Sequence, residues 1–362
     1  MSDIRGEIVL PTADLAAEIA FWTGTPGFRM DVIYPADDPR VAVLSGHGLR
    51  LRLDVAADAP PGVIRLLSDD ADALAGGPLT SPGGTRIETG PLTPPFAVPP
   101  TEHAFVVRRL RDQAPWVIGR AGMQYRDLIP DRLGGSIIAS HIRIPDGGPV
   151  PDMVHFHTVG FQLIFCYRGW VDLVYEDQGP PFRLHAGNCV IQPPEIRHRV
   201  LYASDNIEVI EIGVPAEHIT TIDHEMTLPN DRVNPDRRFQ GQRFVHHEAE
   251  GALWAPHRLP GFVARDTTIG ENTGGVAGVH VVRRGEGEAG WTVHGGDILF
   301  SFVMEGRMVL EGDGQVPHAL EPGDAFVIPP GLATRYAEAS EDLEILEVAL
   351  PAEVPTETVP GR

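Results

Sequence analysis

The chain repeats itself, and that repeat restricts the fold more than any other feature. Arg126-Asp127 returns as Arg265-Asp266, 139 residues later, and His141 returns as His280 at the same offset. Gly134-Gly135 is matched by Gly274-Gly275. His157 to Gly169 is twelve residues, as is His294 to Gly306; Gly187 to His198 is eleven, as is Gly323 to Thr334. Two copies of one unit therefore follow each other from about residue 104 to about residue 352. Short apolar runs such as 161–166, 169–175 and 325–329 stop at Gly and Pro turns, the pattern of an antiparallel barrel.

Charge and cysteine content narrow the function. A formal net charge of −21 excludes nucleic acid and anionic membrane surfaces as partners, since those need clustered Lys and Arg. No apolar run approaches the ~20 residues that span a bilayer, and residues 1–10 carry neither a basic run nor a long apolar core. A cytoplasmic protein acting on a small molecule is expected. Cys166 and Cys189 sit in apolar strand-like runs and read as buried, reduced thiols.

The chemistry gathers in the first copy. His155 and His157 alternate around Phe156, so on a strand both rings face one way and can share one ion. Gln162 has the opposite parity on an unbroken strand, but Thr158-Val159-Gly160 offers a turn that re-aims it. His198 follows Val190-Ile191-Gln192-Pro193-Pro194, an apolar strand ended by prolines, as a ligand from a neighbouring strand would. The second copy has Thr292, Leu299 and Thr334 at the matching places and keeps only His294. One imidazole does not hold a divalent ion, so this copy is expected to be structural.

These residues resemble the two motifs of the cupin family. In the first, His155-x-His157 is followed by Gln162 and Gly169, with Gly148 upstream; in the second, Gly187, Pro193-Pro194-Glu195 and His198 stand in order. The departures are Gln162, where the family has Glu, and Glu195, where it has Gly. The resemblance implies a mainly β fold of two tandem cupin barrels (double-stranded β-helix, jelly-roll), a bicupin. It also implies one metal in the first barrel, held by His155, His157, Gln162 and His198, and a homodimer.

Three neutral imidazoles and a neutral amide would leave the full dipositive charge on the ion. Such a centre favours an oxygen-chelating substrate: an enolate, a diketonate or a catecholate. Fe(II) and dioxygenation come first; zinc, nickel or manganese would instead serve an isomerase or polyketide-cyclase-like reaction, and a sensing barrel without catalysis is the third reading. His141 and Arg143 share strand parity and are expected to face the cavity as acid–base group and anion clamp.

Residues 1–90 differ in kind. Residues 7–10 read as a strand, Asp14 as the cap of a helix carrying Leu15, Ile19, Phe21 and Trp22, and 41–44 with 49–55 as a hairpin around Ser45-Gly46-His47-Gly48. This βαβββ order resembles a glyoxalase-like (vicinal oxygen chelate) module, small and α+β, followed by a truncated second one. Glu7 and Glu88 fall where that family places ligands, but without histidine a scaffold or dimerisation role is expected. The Pro-rich run 91–103 reads as a linker, 104–225 as the first barrel, 226–243 as a connector, 244–352 as the second barrel and 353–362 as a tail.

Overall fold

Runs of β-branched and aromatic residues between Gly and Pro turns form strands throughout. The computed structural model describes residues 4–70, 78–112, 115–119 and 122–360. The chain divides after Pro95 into two units.

In the N-terminal unit the strands Ile8–Pro11, Leu49–Asp54, Val41–Gly46 and Arg29–Tyr34 lie in that order in one sheet, the first two parallel. Asp14 accepts from the Ala17 amide at 3.0 Å and so caps the helix Leu15–Thr23. Trp22, Phe28, Leu44, Leu51 and Leu53 are buried in the core that helix and sheet share. Val63–Leu67 pairs parallel to Arg86–Gly90, and Ile64, Leu66 and Ile87 join that core. The βαβββ order expected of 1–90 is present. Its carboxylates are not gathered: Glu7 pairs with Arg50 at 2.7 Å and Glu88 lies 3.6 Å from Arg86. Among the described residues neither belongs to a metal-competent group.

In the second unit each repeat builds a large sheet and a small one. The first barrel orders Val245–His247, Cys189–Ile191, Phe161–Arg168, Ile207–Val214, Ile138–Ile144, Gln124–Asp127 and Val117–Ile118 in its large sheet. Its small sheet orders Phe182–His185, Trp170–Tyr175, His198–Ala203, His155–Thr158 and Ile219–Ile222. The second barrel repeats the plan around Ile298–Glu305, Glu344–Leu350 and Gly278–Arg284. Leu173, Val190 and Ile207 fill the first interior; Leu299, Leu310 and Phe326 fill the second. The outer faces of the two large sheets then share one cluster, in which Phe161, Phe165 and Ile212 join Val281, Phe300 and Phe302. Both faces of each large sheet are therefore buried.

The strand ahead of each barrel crosses to the other. Val106–Arg108, expected to open the first barrel, pairs with Ala325–Val327 in the second; Val245–His247, expected in the second, pairs with Cys189–Ile191 in the first. The repeated arginines fasten the exchange. Arg126 Nη2 donates to the Gly323 carbonyl at 2.7 Å, and Arg265 Nη2 to the Gly187 carbonyl at 3.1 Å. Residues 96–103 also belong to this unit rather than to a free linker: the Glu102 amide bonds the Leu133 carbonyl, and Thr101 and His103 both reach Asp297.

Both cysteines are buried and unpaired, and burial pushes each thiol up to about 12. Among the described residues no helix is long and apolar enough to cross a membrane.

Candidate metal centre

His155 and His157 lie on the strand His155–Thr158, and His198 opens the neighbouring strand directly opposite His155. Period-two alternation turns both rings of the His-x-His pair inward. The ring centroids of His155 and His198 are 4.3 Å apart, those of His155 and His157 5.1 Å, and those of His157 and His198 5.2 Å. One ring nitrogen from each lies within 4.8 Å of the others, and all three residues are buried. That geometry is consistent with a divalent ion.

Each ring is held by its other nitrogen. His155 Nδ1 donates to the Met153 carbonyl at 2.7 Å and His198 Nδ1 to the Ile196 carbonyl at 2.9 Å. His157 Nδ1 meets the Thr220 hydroxyl at 2.9 Å. A carbonyl accepts only, so in His155 and His198 the proton is on Nδ1 and the lone pair on Nε2, the tautomer a metal requires. Asp152, buried beside His155 with Oδ1 3.6 Å from Nδ1, also accepts the Val200 amide, so it joins the two ligand strands. Tyr175 stacks on His198 at 5.5 Å and accepts from Gln192 at 2.9 Å.

Gln162 is on the opposite sheet, reached through the turn at Val159-Gly160, with its side chain on the interior parity of Ile164 and Cys166. Its Nε2 donates to Glu211 Oε1 at 2.7 Å, while its Oε1 is buried with no hydrogen-bond partner. Glu211 lines the same cavity as the three histidines. The carboxylate absent from position 162 is thus present one strand away. The cavity holds about 80 Å³, and apart from these groups and Gln192 its walls are mainly aliphatic, with Ile142, Leu173 and Val209 among them. Among the described residues that line it there is no Lys or Arg.

The expectation for His141 and Arg143 is overturned by strand parity. Ile142 and Ile144 face the cavity, so His141 and Arg143 face away from it. His141 lies between the barrels against Phe302, with Arg126 Nη2 at 2.6 Å from Nδ1 and Glu208 Oε2 at 2.6 Å from Nε2. Burial lowers the His141 pKa from the ordinary imidazole value, against the pull of Glu208. Arg143 stacks on Trp116 at 4.4 Å and donates to Gln124 at 2.6 Å, so it clamps no anion in this cavity. The match of His141 to His280 also fails by one residue. Arg126 faces His141 across its strand pair, whereas Arg265 faces Val281, so His280 points into the second barrel.

Glu211, Asp152, Gln192 and Thr220 were not legible as site residues, although Glu211 left a trace. Ile210-Glu211-Ile212 and Pro215 recur as Leu346-Glu347-Val348 and Pro351, an offset of 136 shared with Gly187 and Gly323. A carboxylate kept between aliphatic neighbours in both copies marks an inward-facing position.

Residues 278–349, inside the second barrel, match the family model described as a cupin domain. No curated protein matches the chain. Among solved structures, a salicylate 1,2-dioxygenase from Pseudaminobacter salicylatoxidans is similar at 15% identity and TM-score 0.50, covering 72% of this chain and 90% of its own. The oxalate decarboxylase of Lactobacillus farciminis, as its formate complex, is similar at 12% identity and TM-score 0.53, covering 71% and 90%. Protein Ylba of E. coli is similar at 11% identity and TM-score 0.50, covering 71% and 95%. At these identities the likeness establishes the fold alone, mainly β and bicupin-like.

Proposed function

We propose that the first barrel is the active site of a metal-dependent enzyme, a non-haem Fe(II) dioxygenase acting on a small oxygen-chelating substrate such as a diketone or catechol. The observation that carries this reading is the buried group of His155, His157 and His198, two of whose rings are fixed in the ligating tautomer. Glu211 supplies a carboxylate to the same cavity, and the orphaned Oε1 of Gln162 is a further group that a cation would satisfy. When bound, a divalent ion polarises chelating oxygens and, as iron, brings O₂ chemistry.

The protein's own residues select the substrate. Aliphatic walls exclude water and favour an apolar body behind the chelating head. Glu211 is positioned to accept the proton that an enol or catechol loses on chelation. The N-terminal unit we read as a glyoxalase-like module in a scaffold role, on its βαβββ order and parallel outer pairing.

Metal analysis of protein purified anaerobically, followed by oxygen uptake on β-diketones and catechols, tests this. Iron with stoichiometric O₂ consumption is the expected result. Glu211 beside the three histidines in a mainly aliphatic cavity also suits an isomerase or cyclase that needs a base and no oxidant. Zinc content, with turnover unchanged under nitrogen, would establish that second reading instead.

A further inference from the structure

The second barrel has Thr292 and Thr334 paired where the first pairs His155 and His198, and its His294 is tied to the Ile328 carbonyl at 3.1 Å. Its interior is nevertheless only partly filled, and part of it is polar. A cavity of about 270 Å³ opens there, against about 80 Å³ in the first barrel. Two small residues help create the room. Ala264, next to the clasp residue Arg265, stands where the first barrel has Tyr125 next to Arg126, and Ala349 faces the same space.

Five polar side chains line this space: His257, Arg258, Asp266, His280 and Glu347. Glu347, 2% exposed, has both oxygens engaged, Oε2 by Arg258 at 2.5 Å and Oε1 by His257 Nε2 at 3.3 Å. Unused hydrogen-bonding capacity remains on the basic groups. Arg258 uses two N–H donors, to Glu347 and to Thr356 at 3.4 Å, and a guanidinium has five. His257 Nδ1 is buried without a partner, and its side chain is 6% exposed. His280 Nε2 comes no nearer than 3.9 Å to Asp266, beyond hydrogen-bond range, and Asp266 is at the rim with its carboxylate largely in water. Leaving such groups unmatched costs free energy, and a packed structural barrel would have covered them with apolar side chains.

We propose that this cavity is a binding site for a small organic carboxylate, separate from the metal centre. The guanidinium edge of Arg258 not turned to Glu347, together with the His280 ring, meets the carboxylate. The space opened by Ala264 and Ala349 takes its apolar body. Nothing in this site resembles a metal cage, since Arg258 already places a cation against Glu347.

The test is calorimetric titration of the full-length, chelator-treated protein with benzoate and with benzamide. Benzoate is expected to bind at one site per chain and benzamide at least tenfold more weakly. His198→Ala, which disables the first barrel, should leave benzoate affinity unchanged, and Ala264→Tyr should weaken it at least tenfold. Zinc binding at the first barrel reports whether Ala264→Tyr has folded; if it has not, His280→Leu must show the tenfold loss instead. Absence of saturable benzoate binding, equal affinity for benzamide, or binding lost in His198→Ala and kept in the cavity variant would each overturn the proposal.

Discussion

Gln162 donates its side-chain amide at 2.7 Å, across adjacent strands, to Glu211, whose carboxylate lines the histidine cavity. If Glu211 supplies the site's negative charge, Glu211→Gln should weaken zinc binding about 10–100-fold, the range seen when groups supporting a metal are removed. Gln162→Glu with Glu211→Gln restores one charge from the other strand and should recover most of that loss. Titration of chelated protein with zinc measures both, and a double variant no better than the single one would sink the pairing.

The Thr220 hydroxyl is the side-chain partner of His157 Nδ1, whereas the other two rings are held by backbone carbonyls. Thr220→Val keeps the shape and removes the hydrogen bond. Metal affinity should fall about 10–100-fold while stability of the metal-free protein changes little. In the wild type, zinc at a hundredfold excess over its Kd should add about 2.7 kcal/mol of stability, read as a rise in the thermal midpoint. His155→Ala should show no such rise.

Glu195 occupies the left-handed region, with φ +66°, and its amide donates to the His157 carbonyl at 3.0 Å. In the second barrel Gly331, φ +81°, makes the same bond to His294 at 2.9 Å. The turn geometry thus explains why glycine suits this place. Glu195→Gly should stabilise the protein by about 1 kcal/mol, because a Cβ in that region is unfavourable. Chemical denaturation decides it, and a destabilised variant would show that the Glu195 side chain contributes more than its backbone strain removes.

The repeat, the inward His-x-His pair and the Gly and Pro framework were legible because each follows from local rules of turns and alternation. Strand parity in the large sheets was not. Ile138–Ile144 and Ile207–Val214 are covered on both faces, by a barrel interior and by the other barrel, so apolar residues fall at both parities. His141 and Glu211 were therefore misplaced and missed, respectively. The one-residue insertion that separates His141 from its apparent mate His280 is marked by the offset of 140 between Gly134 and Gly274, and the cross-strand registers carry it through to His141. Likewise the exchange of Val106–Arg108 and Val245–His247 depends on long-range pairing, which no local pattern encodes.

Acid should act on the second barrel through Glu347. Burial alone would raise its pKa, but Arg258 and then the His257 and His280 rings hold it from 4.5 down to about 2. A carboxylate depressed in the folded state contributes stability that is complete above its unfolded value and is lost as pH falls toward the folded one. The loss therefore belongs to the window from about pH 4.5 to about pH 2. Glu347→Gln removes the buried charge, leaves the partly buried Arg258 beside an amide, and should destabilise the protein at pH 7 by up to about 3 kcal/mol. The variant has no carboxylate to protonate there, so the gap between wild type and variant should narrow steadily below pH 4.5. Urea midpoints followed by circular dichroism at pH 7, 5, 4 and 3 measure the gap. A gap that stays constant to pH 3 would mean that Glu347 is not held as a carboxylate by its basic neighbours.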